Sequence, residues 1–150
     1  MKIFIGADHR GYGLKNKVVD VLTRQGYQVV DVGTHRKDVR CDYPQFSFQV
    51  AKGVADNKGA LGILVCLTGI GHSIAANKVP GVRAALCYNK TAAKLSRTHN
   101  DANVLIVGSK FVSQKEIMEI MGIWLRTEFE GGRHARRLRQ IRALEKKIKT

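Results

Sequence analysis

The sequence predicts an α/β sandwich: one domain with a five-stranded parallel sheet between helical layers. Three observations carry that reading. Five short apolar runs are separated by segments whose apolar residues repeat at helical spacing. The middle run, Leu61–Cys66, is continuously apolar, as suits a strand covered on both faces. The length of 150 residues and the 44% hydrophobic content suit a single ordinary core and exclude a disordered chain.

The elements follow in chain order. Lys2–Gly6 is a short β-rich run. Leu14, Val18, Val21 and Leu22 mark a helix, and Gly26 is its stop. Val29–Val32 is the second strand, closed by Gly33. Asp42-Tyr43-Pro44 reads as a helix start, continued by Phe46, Val50 and Val54. After Leu61–Cys66, a small-residue turn leads into a short helix. Val82–Cys87 and Val104–Val107 are the fourth and fifth strands, with a polar loop at His99-Asn100-Asp101 between them. Ser113 to Glu116 is a capping box for the helix bearing Ile117, Ile120, Met121 and Trp124, and Gly131-Gly132 breaks that helix. A final basic helix, at about 133–149, carries Leu138, Ile141, Leu144 and Ile148 on one stripe, which predicts a face packed on protein. Right-handed crossovers place a ligand site at the carboxyl ends of the strands.

The charge is unusual. Lys plus Arg total 26 against 12 Asp plus Glu, for a net +14. That balance points to an anionic partner: a nucleic acid, a membrane surface or a phosphorylated small molecule. Eight of the basic residues lie between Arg133 and Lys149, with Glu145 as the single acid there. No apolar stretch approaches the roughly 20 residues of a membrane helix. Asp8 arrives too early for a secretory signal, and Cys41, Cys66 and Cys87 read as reduced thiols in a cytoplasmic protein.

The most informative segment follows the third strand: Cys66-Leu67-Thr68-Gly69-Ile70-Gly71-His72-Ser73, then Ile74-Ala75-Ala76-Asn77-Lys78. Amide N–H groups at such a helix start point toward an anion. The spacing is neither a Gly-Lys-Ser/Thr phosphate loop nor a complete GxGxxG. A glycine turn alone has structural explanations, and Cys66 alone reads as a small buried hydrophobe. Together they form a chemical device, because amides that stabilise a thiolate also stabilise an oxyanion formed beside it.

Other candidates converge on the same end of the sheet. If the first and third strands are neighbours, Asp8 and His9 share a crevice with Cys66; otherwise Asp8 stabilises a turn and His9 is a surface residue. Asp42 by itself reads as a helix cap. His99 is an acid/base candidate in a loop that is polar in any case. Arg133 and Arg137 are four residues apart and can grip one phosphate together, whereas the neighbouring arginines read as a solvated face. His9, His35, His72, His99 and His134 lack ligand spacing to one another or to a Cys pair, so no metal site is expected. No nucleophile elbow supports a Ser-His-Asp hydrolase.

These segments resemble, in order and nearly end to end, type B ribose-5-phosphate isomerase and the galactose-6-phosphate isomerase subunits grouped with it. The match runs through Gly6-Ala7-Asp8-His9, Asp42-Tyr43-Pro44, Cys66–Lys78, Ser96–Asn103 and Glu130-Gly131-Gly132-Arg133-His134. The resemblance implies a Rossmann-like sheet and a homodimer, or a dimer of dimers, with sites at the subunit interface. It implies aldose–ketose isomerisation in pentose phosphate metabolism, without metal or other cofactor. Cys66 resembles the base that shuttles a proton between C1 and C2, and Thr68 its helper at the substrate oxygens. The amides of Gly69, Ile70, Gly71, His72 and Ser73 resemble an anion hole for the enediolate. His99 resembles the residue that opens the furanose ring. Asp8, Tyr43 and Asn100 resemble substrate contacts; His9, Arg133 and Arg137 resemble the phosphate grip. Local physics alone would put phosphate at the Gly69–Ser73 turn.

Two positions depart from the family pattern. Leu67 stands where Gly is usual and predicts a narrowed turn, because leucine resists positive φ. His72 stands where an aliphatic residue is usual and predicts an added hydrogen bond or titrating charge beside the anion hole. The expected substrate is ribose 5-phosphate, with an allose- or galactose-type hexose 6-phosphate as the alternative. A nucleic-acid binder would explain the charge but not Cys66, His99 and Asp8-His9, and it lacks aromatic platforms and a helix-turn-helix pattern. A catalytically silent sugar-phosphate sensor has only Leu67 and His72 in its favour. Neither a membrane nor a nucleic acid is expected as partner.

Overall fold

The computed structural model describes residues 1–148. Five strands, β1 (Lys2–Ala7), β2 (Gln28–Asp31), β3 (Leu61–Cys66), β4 (Ala84–Leu86) and β5 (Val104–Gly108), form one sheet in the order β2-β1-β3-β5-β4. Every pairing is parallel. Among the described residues, six helices connect or follow them: α1 (Tyr12–Arg24), α2 (Tyr43–Asp56), α3 (Ile70–Ala76), α4 (Lys90–Thr98), α5 (Gln114–Arg126) and α6 (Gly132–Ile148). The expected Rossmann-like α/β architecture is what the chain adopts.

The alternation of side chains across the sheet makes two cores. Ile3, Ile5, Ile63, Val65, Leu105 and Val107 face one layer, where Leu14, Val18, Leu22, Ile117, Ile120 and Trp124 pack on them. Leu64, Val104 and Ile106 face the other, with Val50, Val54, Ala76 and Val82. Every residue of β3 is buried, as its unbroken apolar run requires.

Local chemistry sets the ends. Ser113 Oγ accepts the Glu116 amide while the Glu116 carboxylate accepts the Ser113 amide, the reciprocal box that the sequence announces. Gly26, at φ +84°, terminates α1. Asp42 does occupy the N-cap of α2, but its side chain makes no capping bond. On α1, Lys15 is fully buried and pairs with Asp31 of β2.

Three expectations need correction. The fourth strand is shorter than Val82–Cys87, because only Ala84–Leu86 pair with β5. Helix α4 went unpredicted: its apolar residues are mostly alanines, and Asn89 Oδ1 caps it by accepting the Ala92 amide at 2.8 Å. Of the apolar stripe on α6 Leu138 alone is buried; Ile141, Leu144 and Ile148 are 43%, 58% and 84% exposed. Lys149, counted in the basic helix from sequence, lies outside the described residues. Among the described residues, no helix is long and apolar enough to cross a membrane.

Candidate active site

The order β2-β1-β3-β5-β4 means the chain runs from β1 out to β2 on one side, then crosses to β3, the edge strand β4 and the intervening β5 on the other. Between β1 and β3 lies the switch point, where a crevice opens at the carboxyl ends. Ala7 pairs with Val65, so the next residues in register, Asp8 and Cys66, come out side by side. The condition for a shared crevice is therefore met. A pocket of about 300 Å³ opens there, and Asp8, His9, Cys41, Tyr43, Cys66, Thr68 and Gly71 line it.

Asp8 is buried, and its Oδ1 accepts the amides of Arg10 at 3.0 Å and Gly11 at 3.2 Å. These bonds fix the carboxylate while Oδ2 has no hydrogen-bond partner among the described residues. His9 Nδ1 accepts the Cys41 amide at 3.3 Å, so the neutral ring carries its proton on Nε2, as a donor. Cys41 Sγ lies 3.7 Å from the same Nδ1. All three cysteines are free, and Cys66 ends β3. Burial pushes the Cys87 thiol up to about 11, which makes it inert.

The turn after Cys66 is shaped by glycine. Gly69 takes φ +84°, and a Cβ there would stand 2.5 Å from Leu86 Cδ1. Asp101 is the one non-glycine residue with positive φ among the described residues, so Leu67 fits without the strained backbone expected of it. Tyr88 Oη donates to Thr68 O at 2.5 Å and pins the turn from β4's side. The Ser73 amide already donates to Gly69 O at 3.0 Å, and the Ile70 amide leans on Thr68 Oγ1 at 3.4 Å. Among the described residues the amides of Gly69, Gly71 and His72 remain without partners and are the donors left for an anion. Gly71 also leaves room for Tyr43, whose Cζ would stand 2.5 Å from a Cβ at that position.

The remaining candidates form a second cluster. His99, the C-cap of α4, stacks on His134 with centroids 4.2 Å apart and planes 10° apart. Burial, then the charges of His99, Arg133 and Arg137, lower the proton affinity of His134, against the opposing pull of Glu130. His99, Arg133 and Arg137 thus share one electrostatic patch. Asn100 follows in a loop held by Asp101, which bonds to Arg83 at 2.9 Å and Arg97 at 3.3 Å. None of His99, Asn100, Arg133 and Arg137 lines the Cys66 pocket of its own chain.

That cluster also brings together what sequence spacing did not: ligand atoms of His99, Glu130 and His134 lie within 4.8 Å of one another. Parallel rings aim their nitrogen lone pairs side by side rather than at one point. One ion would meet both imidazoles in plane only after a ring turned.

With the geometry in place, the comparisons are specific. The profile of the Ribose/Galactose Isomerase family matches residues 3–141. The chain belongs to that family. It is 45% identical over 146 residues to ribose-5-phosphate isomerase B of Escherichia coli (strain K12), covering 97% of each chain. Its fold superposes on ribose-5-phosphate isomerase B of Clostridium thermocellum with a TM-score of 0.95, at 49% identity and 99% coverage of both chains. The Mycoplasma genitalium ribose-5-phosphate isomerase B, solved with bound ribulose-5-phosphate, gives 0.93 at 45% identity, covering 97% of this chain and 96% of that one.

For a ribose/galactose isomerase family member, sequence reasoning overlooked four residues around these two clusters: Cys41, Ser47, Tyr88 and His134. Ser47 left one readable sign, its place one helical turn after Tyr43 on α2. Cys41 and Tyr88 are joined to their partners by tertiary structure alone, whereas His134 has Glu130 four residues earlier besides its distant partner His99.

Proposed function

We propose that this chain isomerises ribose 5-phosphate to ribulose 5-phosphate through an enediolate, without a metal, at sites shared between two copies. The observation that carries the reading is the pocket at the β1/β3 switch point, where Cys66, Asp8 and the unpartnered Gly71 amide of the α3 turn meet in a family member. The relative that holds ribulose-5-phosphate supports the substrate.

The chemistry follows from the groups present. With the ring opened, the Cys66 thiolate takes the proton from C2 of the aldose. The electron pair moves into the C1–C2 bond, and the carbonyl oxygen on C1 becomes the oxyanion. The unpartnered amides of the α3 turn, with Gly71 on the pocket wall, stabilise that charge where it forms. The thiol returns the proton to C1, while Thr68 assists proton movement between the two oxygens. Asp8 and Tyr43 hold substrate hydroxyls, and His9 Nε2–H donates to the phosphate. His99 opens the furanose and, with Asn100, Arg133 and Arg137, comes from the second copy; the two arginines grip the phosphate far from the reacting carbons.

The split between clusters supports a homodimer, alone or paired as a dimer of dimers. The exposed Ile141, Leu144 and Ile148 on α6 support a second copy lying over that helix. The parallel stacking of His99 on His134 argues against a metal requirement. Residues 1–150 act as one isomerase domain, and the free thiols favour a cytoplasmic setting.

The test is an assay of purified protein on ribose 5-phosphate with chelator present, beside allose 6-phosphate and galactose 6-phosphate. Chelator-insensitive turnover, highest on ribose 5-phosphate, is expected. Preference for a hexose phosphate would move the assignment within the family, and no turnover of any of the three would end it.

A further inference from the structure

His72 is the residue the mechanism above does not explain. Its side chain is fully buried beneath the pocket rather than lining it. Its Nδ1 lies 2.6 Å from Ser47 Oγ, and its ring packs against Tyr43 with centroids 5.5 Å apart. Its Nε2 has no hydrogen-bond partner among the described residues. A polar atom buried in this way is a cost that a simple aliphatic filler would avoid.

The hydrogen-bond directions can be assigned. Ser47 Oγ also lies 3.2 Å from the Tyr43 carbonyl one turn earlier, which only accepts. Ser47 has one hydroxyl proton. Giving it to Tyr43 O leaves the Ser47 oxygen to accept from His72 Nδ1–H, and both contacts are satisfied. The opposite assignment loses the Tyr43 contact. The imidazole is then a neutral Nδ1–H tautomer that ties the first turn of α3 to the first turn of α2. Those two turns carry Gly71 and Tyr43 on the pocket wall. Burial holds the imidazole neutral, pushed down to about 4, with the nearby Asp8 carboxylate opposing. The groups facing it are Asp8 after β1 and Tyr43 and Ser47 of α2; β4, with Ala84, Ala85 and Leu86, offers none.

We propose that His72, through Ser47, is a positioning residue for Tyr43, and that this pair sets the affinity of the site for its sugar rather than the rate of proton transfer. The inference rests on the isomerase reading for its kinetic arm only. Removing the bond frees the Tyr43 backbone turn and its ring, while Cys66 stays held by the β3–β5 pairing and the α3 turn by the Tyr88 Oη–Thr68 O and Ser73 N–Gly69 O bonds.

Three variants test it: His72→Leu, Ser47→Ala and His72→Asn. His72→Leu and Ser47→Ala should each raise KM for ribose 5-phosphate about fivefold, the effect of one uncharged hydrogen bond, with kcat falling less than that. The double variant should be no worse than either single one. His72→Asn places an amide donor where Nδ1–H was and should restore much of the affinity. A fall in kcat at constant KM would overturn the positioning role, as would additivity of the two single variants or failure of Asn to rescue.

An acid titration followed by thermal unfolding needs no substrate. The unfolded chain takes up this proton below the ordinary histidine value of 6.5, and the folded one resists it down to about 4. Wild-type stability therefore falls as pH drops through that window, and His72→Leu should fall less. Equal acid sensitivity would show that the imidazole is not buried and neutral. If the wild type turned over no sugar phosphate, the functional reading would fail while this arm still judged the buried pair.

Discussion

Replacing Gly71 with alanine should damage activity while sparing the fold. A Cβ at this position would stand 2.5 Å from Tyr43 Cζ and 2.8 Å from its Oη. Something must move, and the movable partner is the far end of the Tyr43 side chain, which is 38% exposed. Displacing the ring sacrifices part of its burial, about 1 kcal/mol. Against this, alanine in α3 is favoured over glycine by up to about 1 kcal/mol. The two terms nearly cancel, so the thermal midpoint should change by no more than about 4 °C. Activity has no such offset. A Tyr43 hydroxyl moved off the substrate loses one uncharged hydrogen bond, about 0.5–1.5 kcal/mol, or roughly two- to tenfold in kcat/KM. Differential scanning fluorimetry and initial rates on ribose 5-phosphate read both quantities. In a Tyr43→Ala background Gly71→Ala should cost nothing further, because no ring remains to be displaced. Unchanged kinetics in Gly71→Ala, or an undiminished loss in the Tyr43→Ala background, would refute the role given to Tyr43.

Cys66→Ala should lose roughly a hundred- to ten-thousandfold in kcat with its thermal midpoint preserved, as measured by initial rates and fluorimetry. Alkylation should also inactivate, but Cys41 lines the same pocket, so this must be measured in a Cys41→Ser background with Cys66 identified by mass spectrometry. Arg137→Ala should lower kcat/KM by roughly ten- to a hundredfold, mainly through KM, and should weaken inhibition by inorganic phosphate; Arg139→Ala should change little in the same assays. Asp31→Ala leaves the fully buried Lys15 without its counter-ion and should cost about 3 kcal/mol, or roughly 6–12 °C in thermal midpoint, while replacing both partners by Lys15→Met and Asp31→Leu should recover most of it.

Short-range physics was the legible part of this chain. The β3 run, Pro44 at the start of α2 and the Ser113–Glu116 box each depend on residues within one or two turns of one another, and each stands where expected. Helix α4 was illegible because its buried side is made of Ala93, Ser96 and Thr98, which carry little hydrophobic signal. Leu67 misled because a glycine was expected to supply the positive φ there, whereas Gly69 two residues later does so. The Ser47–His72 bond spans 25 residues, and nothing in either neighbourhood hints at the other. The grouping of Asp8 and His9 with Cys66 was thus legible through strand adjacency, but not the packing of His99 on His134 or of His72 on Ser47, which leaves two separate clusters of site residues.

That grouping supports one further prediction, on subunit complementation. The thiol, Asp8 and Tyr43 lie at the β1/β3 switch point, whereas Arg133, Arg137 and His99 cluster around His134. If one substrate bridges the two clusters, its reacting carbons lie on one copy and its phosphate on the other. Cys66→Ala and Arg137→Ala then damage opposite halves of each shared site. In a mixed dimer, one site combines the intact thiol with the intact arginine, and the other carries both substitutions. Random exchange of subunits makes half of the dimers mixed, so refolding the two variants together should give about a quarter of wild-type activity. Each variant refolded alone stays at its own low level, so the gain cannot come from refolding itself. Activity equal to the average of the two separate preparations, in a sample shown by native mass spectrometry to contain mixed dimers, would mean that thiol and phosphate grip belong to one copy. The shared-site reading would then fall, and the unpartnered amides of Gly69, Gly71 and His72 would be the first place to seek the phosphate.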